Sequence, residues 1–343
     1  MSQTRQVILT GDRPTGKLHL GHYVGSLKSR VELQDEYDTF IIIADFQVLV
    51  DHLEDSRRVG TNVREIIFDY LSVGINPSKS TIFVQSAVPQ LSELTTYLSM
   101  LVTVARLRRN PTVKAEAKKV DVDSDKDSIV YGFLGYPVSQ AADILLFRAN
   151  LVPAGEDQRP HIEQTRELAL RFNTVFHCDV FPLPDILISE TPRLPGLSGI
   201  EKMSKSLGNA IYLSDPIDEI RKKVGVAFTD PARIRRNDPG NPEVCPVYHY
   251  HKAFDPSNAP NVAQMCSSAT IGCVGCKKNL TEVLESFLTP IQKRRAEFEH
   301  DDALIRKVVV EGCDRAREVG EETMKLVRKA VGYDYPGLLA PSG

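Results

Sequence analysis

Three short apolar runs, VILT (7–10), FIIIA (40–44) and TIFVQ (81–85), constrain this chain more than any other feature. They are rich in β-branched residues and have the length of strands buried on both faces. Between the second and third lies SRRVGTNVREIIFDYLSVG, in which Val59, Val63, Ile66, Ile67 and Tyr70 recur at helical spacing before GINP supplies a stop. Strands alternating with a helix in this way predict βαβ units and a parallel sheet, an α/β fold. Open sheets of that kind take their ligands beyond the C-terminal ends of the strands. The first run leads into GDRPTGKLHLGHYVGSL (11–27), with four glycines and two histidines in seventeen positions. It contains neither of the common glycine-rich nucleotide fingerprints, G-x-G-x-x-G or G-x-x-x-x-G-K-[ST], so its role has to be read with the rest of the chain.

That chain has 343 residues, enough for two domains or a large one with a small appendage. Apolar residues at 42% and charged residues at 25% are the balance of an ordinary globular protein. No run approaches the roughly 18 apolar residues that span a bilayer. MSQTRQVILTGD has no charged start followed by an apolar core and cleavage site, so a cytoplasmic protein without membrane contact is expected. The net charge of −3 offers no global field to a polyanion, although local basic patches can supply phosphate contacts.

From about 90 to 150 the pattern is helical, interrupted by the polar stretch KKVDVDSDKDS (118–128), which reads as a loop. GEDQRPHIEQTRELALRF (155–172) reads as a loop entering a helix, with Glu163–Arg166 and Glu167–Arg171 expected as pairs on its face. TPRLPGLSGIEKMSKSLGN (191–209), rich in Pro, Gly and Ser, is a long loop. Beyond it strand signals fade, which places a domain boundary near residue 212.

Two segments about 180 residues apart carry chemistry together: His19-Leu20-Gly21-His22 and Lys202-Met203-Ser204-Lys205-Ser206. They resemble the His-x-Gly-His and Lys-Met-Ser-Lys-Ser signatures of class I aminoacyl-tRNA synthetases, the second without a change. The chemistry suits these residue types. Amino-acid activation joins a carboxylate to the α-phosphorus of ATP as pyrophosphate departs, which needs positioning and charge neutralisation more than a covalent nucleophile. Gly11, Gly16 and Gly21 permit close approach of backbone to nucleotide. His19 and His22 can donate to phosphate oxygens, and Lys202 and Lys205 can stabilise charge on the leaving pyrophosphate. The resemblance implies His19, His22, Lys202 and Lys205 as catalytic residues. It further implies ATP contacts at Gly11, Arg13, Gly21, His22, Gly155, Asp157, Met203 and Ser204, with Mg²⁺ accompanying the phosphates.

YPVSQAADILL (136–146) and VPAGEDQRPHIE (152–163) are similar to the pocket segments of tryptophanyl-tRNA synthetases, and GDRPTGKLHLGH fits the same family. The likeness runs from about residue 7 to 332. It implies that Asp143 accepts the indole N–H and that Tyr136, Gln140 and Gln158 hold the amino acid. Tyr136, Gln140 and Asp143 fall at i, i+4 and i+7 of one helix face, a spacing that tyrosyl-tRNA synthetases share. An Asp accepts from an indole N–H or a phenol O–H, so this triad alone does not choose between them. GEDQ favours tryptophan, whereas Gln47 and Arg13 depart from the residues several tryptophan enzymes carry. Pro137 would suit the first turn of that helix.

Of six cysteines, Cys245, Cys266, Cys273 and Cys276 fall within 32 positions. Four thiols with one C-x-x-C step suit either tetrahedral Zn²⁺ or an iron–sulfur cluster, and in a zinc site His249 or His251 can replace one thiol. TDPARIRRNDPGNPEVCPV and IGCVGCKKNL resemble a subset of tryptophanyl-tRNA synthetases that carries a [4Fe–4S] cluster there. By that resemblance the cluster is expected to be structural. Arg233, Arg235 and Arg236 stand just before its first cysteine, and arginines suit both phosphate and guanine, so they are candidates for the anticodon loop. A second basic run, RLRRNPTVKAEAKK (106–119), points to no specific contact.

The family likeness implies a Rossmann-type catalytic domain with a parallel sheet (1–212), a smaller all-helical anticodon-binding domain (213–300) and a C-terminal helix packing back on the first (301–343). It also implies a homodimer whose partners are L-tryptophan and tRNA(Trp), with no DNA. A tyrosine enzyme, or a paralogue that binds without charging, would share most of these features.

Overall fold

The computed structural model describes residues 5–50, 53–117, 129–188, 194–199, 203 and 207–335. The 118–128 stretch therefore lies outside the described residues. A five-stranded sheet runs β3-β2-β1-β4-β5, formed by β1 (Val7–Asp12), β2 (Asp38–Ile43), β3 (Ser80–Val84), β4 (Leu151–Ala154) and β5 (Asp185–Ile188). All its pairings are parallel, and β1 meets β2 in register from Val7 opposite Asp38 to Asp12 opposite Ile43. The three apolar runs of the sequence are the three strands on one side of this sheet. β4 and β5, four residues each, had no such signal, and Pro153 sits inside β4. The order reverses between β1 and β4, the switch point where doubly wound sheets open a ligand crevice.

The helices are α1 (Leu20–His22), α2 (Lys28–Leu33), α3 (Val59–Val73), α4 (Gln90–Ser99), α5 (Val104–Arg109), α6 (Pro111–Ala117), α7 (Tyr131–Leu146), α8 (Arg159–Val175) and α9 (Ile217–Gly225). They continue as α10 (Pro246–Phe254), α11 (Ala259–Ser267), α12 (Cys273–Glu299) and α13 (Asp302–Val331). A π-wound turn, Tyr23–Leu27, joins α1 to α2, a local widening often found at functional sites.

Alternation along β2 shows how the sheet divides its core. Ile41 and Ile43 pack with Ile66, Ile67 and Tyr70 of α3 and with Leu280, Leu284 and Leu288 of α12. Phe40 and Ile42 face Leu94 and Leu98 of α4, Ile144 of α7 and Met324 of α13. The first cluster includes Ile211, Leu213, Ile220 and Tyr250, so apolar contact continues across residue 212. On the other face, α13 lies against β3, where the Val84 N–H donates to Cys313 Sγ at 3.5 Å.

Two local expectations are corrected. Pro137 lies inside α7 rather than in its first turn. Glu167 is bridged to Arg106 of α5 at 2.7 and 2.8 Å, and Arg166 donates to the Pro184 carbonyl, so these α8 side chains serve tertiary contacts instead of pairing along their own helix.

Candidate active site

A cleft of about 750 Å³ opens where β1 and β4 diverge. This is the size range of a small-molecule or cofactor site. Gly11, Asp12 and Arg13 enter it from the end of β1, and Gly155, Asp157 and Gln158 from beyond β4. His19, Gly21 and His22 form one wall, Met203 joins them, and Gln140 and Asp143 close the far end.

Main-chain pairing ties the segment that carries His-x-Gly-His to the stretch that follows the second signature. Leu20 N–H donates to the Ile211 carbonyl at 2.9 Å, Leu213 N–H donates to the Leu18 carbonyl at 3.0 Å, and His19 pairs antiparallel with Tyr212 between them. The stretch just after Lys-Met-Ser-Lys-Ser is thus tied to the stretch carrying His-x-Gly-His. Two glycines keep side-chain atoms out of tight contacts here. A Cβ on Gly21 would sit 2.9 Å from His19 Nδ1 and 3.5 Å from Met203 Cβ, and one on Gly11 would fall 2.0 Å from the Ile42 carbonyl oxygen. Gly11 is therefore required by the neighbouring strand as well as bordering the cleft. The His19 and His22 rings lie 3.8 Å apart, and His22 Nδ1 accepts from the His19 N–H at 3.1 Å. That bond assigns the hydrogen of a neutral His22 to Nε2. Lys202, Ser204 and Lys205 lie outside the described residues.

Asp12 is set by a buried triad that sequence reasoning missed. Arg30, 2% exposed, donates to Asp12 Oδ2 at 2.6 Å and to the Gly11 carbonyl at 3.0 Å, while Tyr70 Oη donates to the same Asp12 oxygen at 2.7 Å. Burial alone would raise the Asp12 carboxyl, but Arg30, helped by His22 and Tyr70, overrides it and holds the group at about 2.

At the other end Asp143, 3% exposed, faces neutral partners. Gln85 Nε2 donates to its two oxygens at 2.8 and 2.9 Å, and Gln47 Nε2 donates to Oδ2 at 3.0 Å. Burial pushes this carboxyl up to about 7; Gln85 and Gln47 oppose the rise and Asp45 adds to it. Nothing in its sequence context marked Gln85, since it closes an apolar strand run.

Gln140 Nε2 donates to Gln158 Oε1 at 3.3 Å, so these two predicted residues meet in the cleft. Tyr136 stands one turn away, its Oη donating to Glu116 at 2.7 Å and lying 3.2 Å from His161 Nε2. Burial lowers His161 to about 4 despite Asp157 nearby, so its imidazole is neutral at pH 7. Asn110 lies 3.3 Å from the other ring nitrogen of His161 and donates to Gln164, completing a polar shell behind the pocket.

The four clustered cysteines come from the N-cap of α10, from α11 and from the start of α12. All are half-buried. Burial pushes Cys276 up to about 12, reinforced by Cys245, Cys266 and Cys273, and burial likewise raises Cys245 and Cys266. The fold thus gathers the four thiols into one electrostatic neighbourhood. Among the described residues, however, no group of three or more His, Cys, Asp or Glu is placed to hold a metal ion. Of the histidines, His251 Nε2 is 3.7 Å from Cys276 Sγ, whereas His249 turns to the Glu243 carbonyl. Arg233 points inward, donating to the Ile271 and Arg236 carbonyls at 2.7 and 3.0 Å and approaching Cys266 Sγ at 3.9 Å. Arg235 and Arg236 are exposed.

A parallel sheet of order 3-2-1-4-5, a cleft at its switch point, and His19, His22 and Met203 of the two signature segments lining that cleft define a class I aminoacyl-tRNA synthetase. The comparisons agree. The family described as tRNA synthetases class I (W and Y) matches residues 1–289. The tryptophan–tRNA ligase of Streptococcus pneumoniae serotype 4 is 48% identical over 341 residues, covering 97% of this chain and 99% of that one. The enzyme of the same name from Clostridium longisporum is 48% identical over 96% of this chain and 98% of its own. Tryptophanyl-tRNA synthetase from Campylobacter jejuni, solved with ADP and tryptophan, superposes with a TM-score of 0.84 at 28% identity, covering 95% of this chain and all of that one. This chain belongs to the class I tRNA synthetases and, within them, to the tryptophan–tRNA ligase family.

Proposed function

We propose that the chain activates L-tryptophan with ATP and transfers the tryptophanyl group to tRNA(Trp). In the first step a carboxylate oxygen of tryptophan bonds to the α-phosphorus, and the bond from that phosphorus to the bridging oxygen breaks, releasing pyrophosphate. In the second, the 2′-hydroxyl of the terminal ribose attacks the adenylate carbonyl, losing its proton as AMP leaves. The observation that carries the reading is the 18–20 and 211–213 ladder beside a cleft that His19, His22, Met203 and Asp143 all line. In that cleft His19 and His22 donate to phosphate oxygens, and Lys202 and Lys205 neutralise the departing pyrophosphate. Gly11, Arg13, Gly155 and Asp157 border the nucleotide. Asp143 accepts the indole N–H, with Gln140, Gln158 and Tyr136 about the amino acid's polar end. Mg²⁺ travels with the phosphates of ATP and shares their charge.

For the cysteines, the reading is a [4Fe–4S] centre held by Cys245, Cys266, Cys273 and Cys276. The donor set is all thiol, which suits soft iron–sulfur or zinc centres, and the likeness of this segment to the cluster-bearing subset favours the first. When bound, such a centre supplies structure to the helices it joins. Arg233 is engaged within that region, which leaves Arg235 and Arg236 as the cations for the anticodon loop. The division at 212 and 300, a homodimeric assembly and a cytoplasmic setting follow the family likeness. Among the described residues no helix is long and apolar enough to cross a membrane.

The test is ATP–pyrophosphate exchange with each of the twenty amino acids on anaerobically purified protein. Exchange with tryptophan alone is expected. Exchange with tyrosine would keep the cleft and overturn the pocket, and none from folded protein would point to a paralogue that binds without activating. Iron and acid-labile sulfide measured on the same preparation test the centre; zinc in their place would overturn the cluster. Replacing Arg235 and Arg236 by Ala should weaken tRNA charging and spare exchange.

A further inference from the structure

One turn near the end of α12 holds both sides of the active-site ladder. Gln292 Nε2 donates to the carbonyls of Leu213 and Asp215 at 3.1 and 2.9 Å. Three residues on, and so on the same helix face, Arg295 Nη1 donates to Asp69 Oδ1 at 2.5 Å. The other oxygen of Asp69 accepts from the Leu18 N–H at 2.8 Å. Leu18 and Leu213 are themselves paired, through the Leu213 N–H and the Leu18 carbonyl. The circuit therefore closes. Helix α12 grips the segment that leads into His19 through Asp69, and the segment that follows Lys-Met-Ser-Lys-Ser directly through Gln292.

The chemistry of the grip is costly for a merely structural contact. Asp69 is fully buried and Arg295 is 4% exposed. Arg295 also donates to Glu65 at 2.5 Å and to Glu299 at 2.7 Å, and its guanidinium lies 5.3 Å from the centre of the Phe68 ring. Burying such groups carries a large desolvation penalty per ion, and apolar residues of similar volume often stabilise as well or better. What an Arg fork between carboxylates supplies is defined position, through bidentate geometry. Here the position defined is that of the Leu18 amide, one residue before His19.

We propose that Arg295 and Gln292 are positioning residues for amino-acid activation, fixing through Asp69 and the Leu213 carbonyl the ladder that aligns the two halves of the ATP cleft. The helix that does this begins at Cys273 and Cys276 and runs 27 residues, about 40 Å at the usual helical rise. It therefore links the cysteine region mechanically to the His19 side of the cleft. The inference rests on the adenylate-forming reading above.

The test compares Gln292→Leu, Arg295→Met and Arg295→Lys with the wild type in ATP–pyrophosphate exchange, in equilibrium tryptophan binding without ATP, and in amide hydrogen exchange. The expected result is a fall in kcat of roughly 10- to 100-fold for Gln292→Leu and Arg295→Met, the scale of a small misplacement of reacting groups. Tryptophan affinity should stay within about twofold of the wild type and Arg295→Lys should recover part of the rate, both criteria set by the near-constant binding expected of a loss confined to the transition state. Exchange at the Leu20 and Leu213 amides should quicken in the impaired variants. Unchanged kcat in folded Gln292→Leu would overturn the proposal, as would unchanged amide protection, or a parallel loss of tryptophan binding that marks a general structural role. Should Arg295→Met fail to fold, Gln292→Leu carries the test alone. A wild-type protein with no exchange would instead sink the activation reading, and this inference with it.

Discussion

The two ends of the cleft each contain a carboxylate, Asp143 buried and Asp12 half-buried, and the two are treated in opposite ways. At the phosphate end Asp12 faces a full positive charge, Arg30, and stays ionised with a pKa of about 2. At the amino-acid end Asp143 has neutral amides, Gln85 and Gln47, as its hydrogen-bond donors, and burial, with Asp45 adding to it, pushes it up to about 7. The difference lies in what each group is free to do. Arg30 and Tyr70 consume Asp12, so it serves as a fixed anchor beside Gly11 and its charge acts on His22 only at a distance. Asp143 is desolvated with no cation beside it, and its neutral amide donors leave its carboxylate lone pairs able to accept one more hydrogen bond. An indole N–H is the donor that would complete it, and a ligand lacking that hydrogen leaves the acceptor unpaid.

The largest break in this comparison comes from removing the charge that holds Asp12. Arg30→Met strands a carboxylate and a buried phenol, and breaking one partner of such a pair costs about 3–5 kcal/mol. Urea unfolding should register that loss. A change below about 1 kcal/mol would place the pair in the weakly contributing class of exposed ion pairs and void the contrast drawn here.

A smaller effect is expected from Asp143→Asn. The amide has one acceptor oxygen where the carboxylate has two, and its NH₂ group would confront either the Gln85 amide or the indole N–H. kcat/KM for tryptophan should fall by roughly 10²- to 10³-fold, with discrimination against a tryptophan analogue lacking the indole N–H falling in parallel. Retained discrimination would show that another group reads the indole.

Why the sequence exposed some of this and hid the rest follows from how each signal is built. β1, β2 and β3 were legible because strands buried on both faces must be continuously apolar, and Ile41 to Ile43 serve both core layers. β4 and β5 were not, being four residues long and, in β4, carrying Pro153. His19, His22, Gly21 and Met203 could be singled out as members of two short segments, and the structure adds that Leu18 to Leu20 and Ile211 to Leu213 join them. Arg30, Gln85, Asp69 and Arg295 stayed hidden, since a lone polar residue in a helix or at a strand end reads as surface. Their partners lie 18, 58 and 226 positions away, beyond any local pattern. Arg233 shows the converse. Its basic neighbourhood pointed to RNA, and the structure adds that its Nη2 donates to the carbonyls of Arg236 and Ile271.

The finest test uses pH to set the two ends against each other. Asp143 has a folded pKa of about 7 against an ordinary 3.8, so between those values the native protein holds a proton that the unfolded chain has released. Its contribution to stability therefore falls as pH rises from about 4 to 7. Asp12, depressed to about 2, contributes stability that is complete above pH 3.8 and lost only as pH drops towards 2. Tryptophan binding should follow Asp143 alone and tighten as pH rises through 7, because the ionised carboxylate is the better acceptor. Gln85→Leu removes the two hydrogen bonds that favour ionisation. A hydrogen bond to a charged group is worth about 1.5–3 kcal/mol, so the midpoint should move up by about one unit or more. A midpoint that stays put in Gln85→Leu would mean that Asp143 is not the group titrating, and the amino-acid end of the cleft would no longer differ from the phosphate end in the way its geometry suggests.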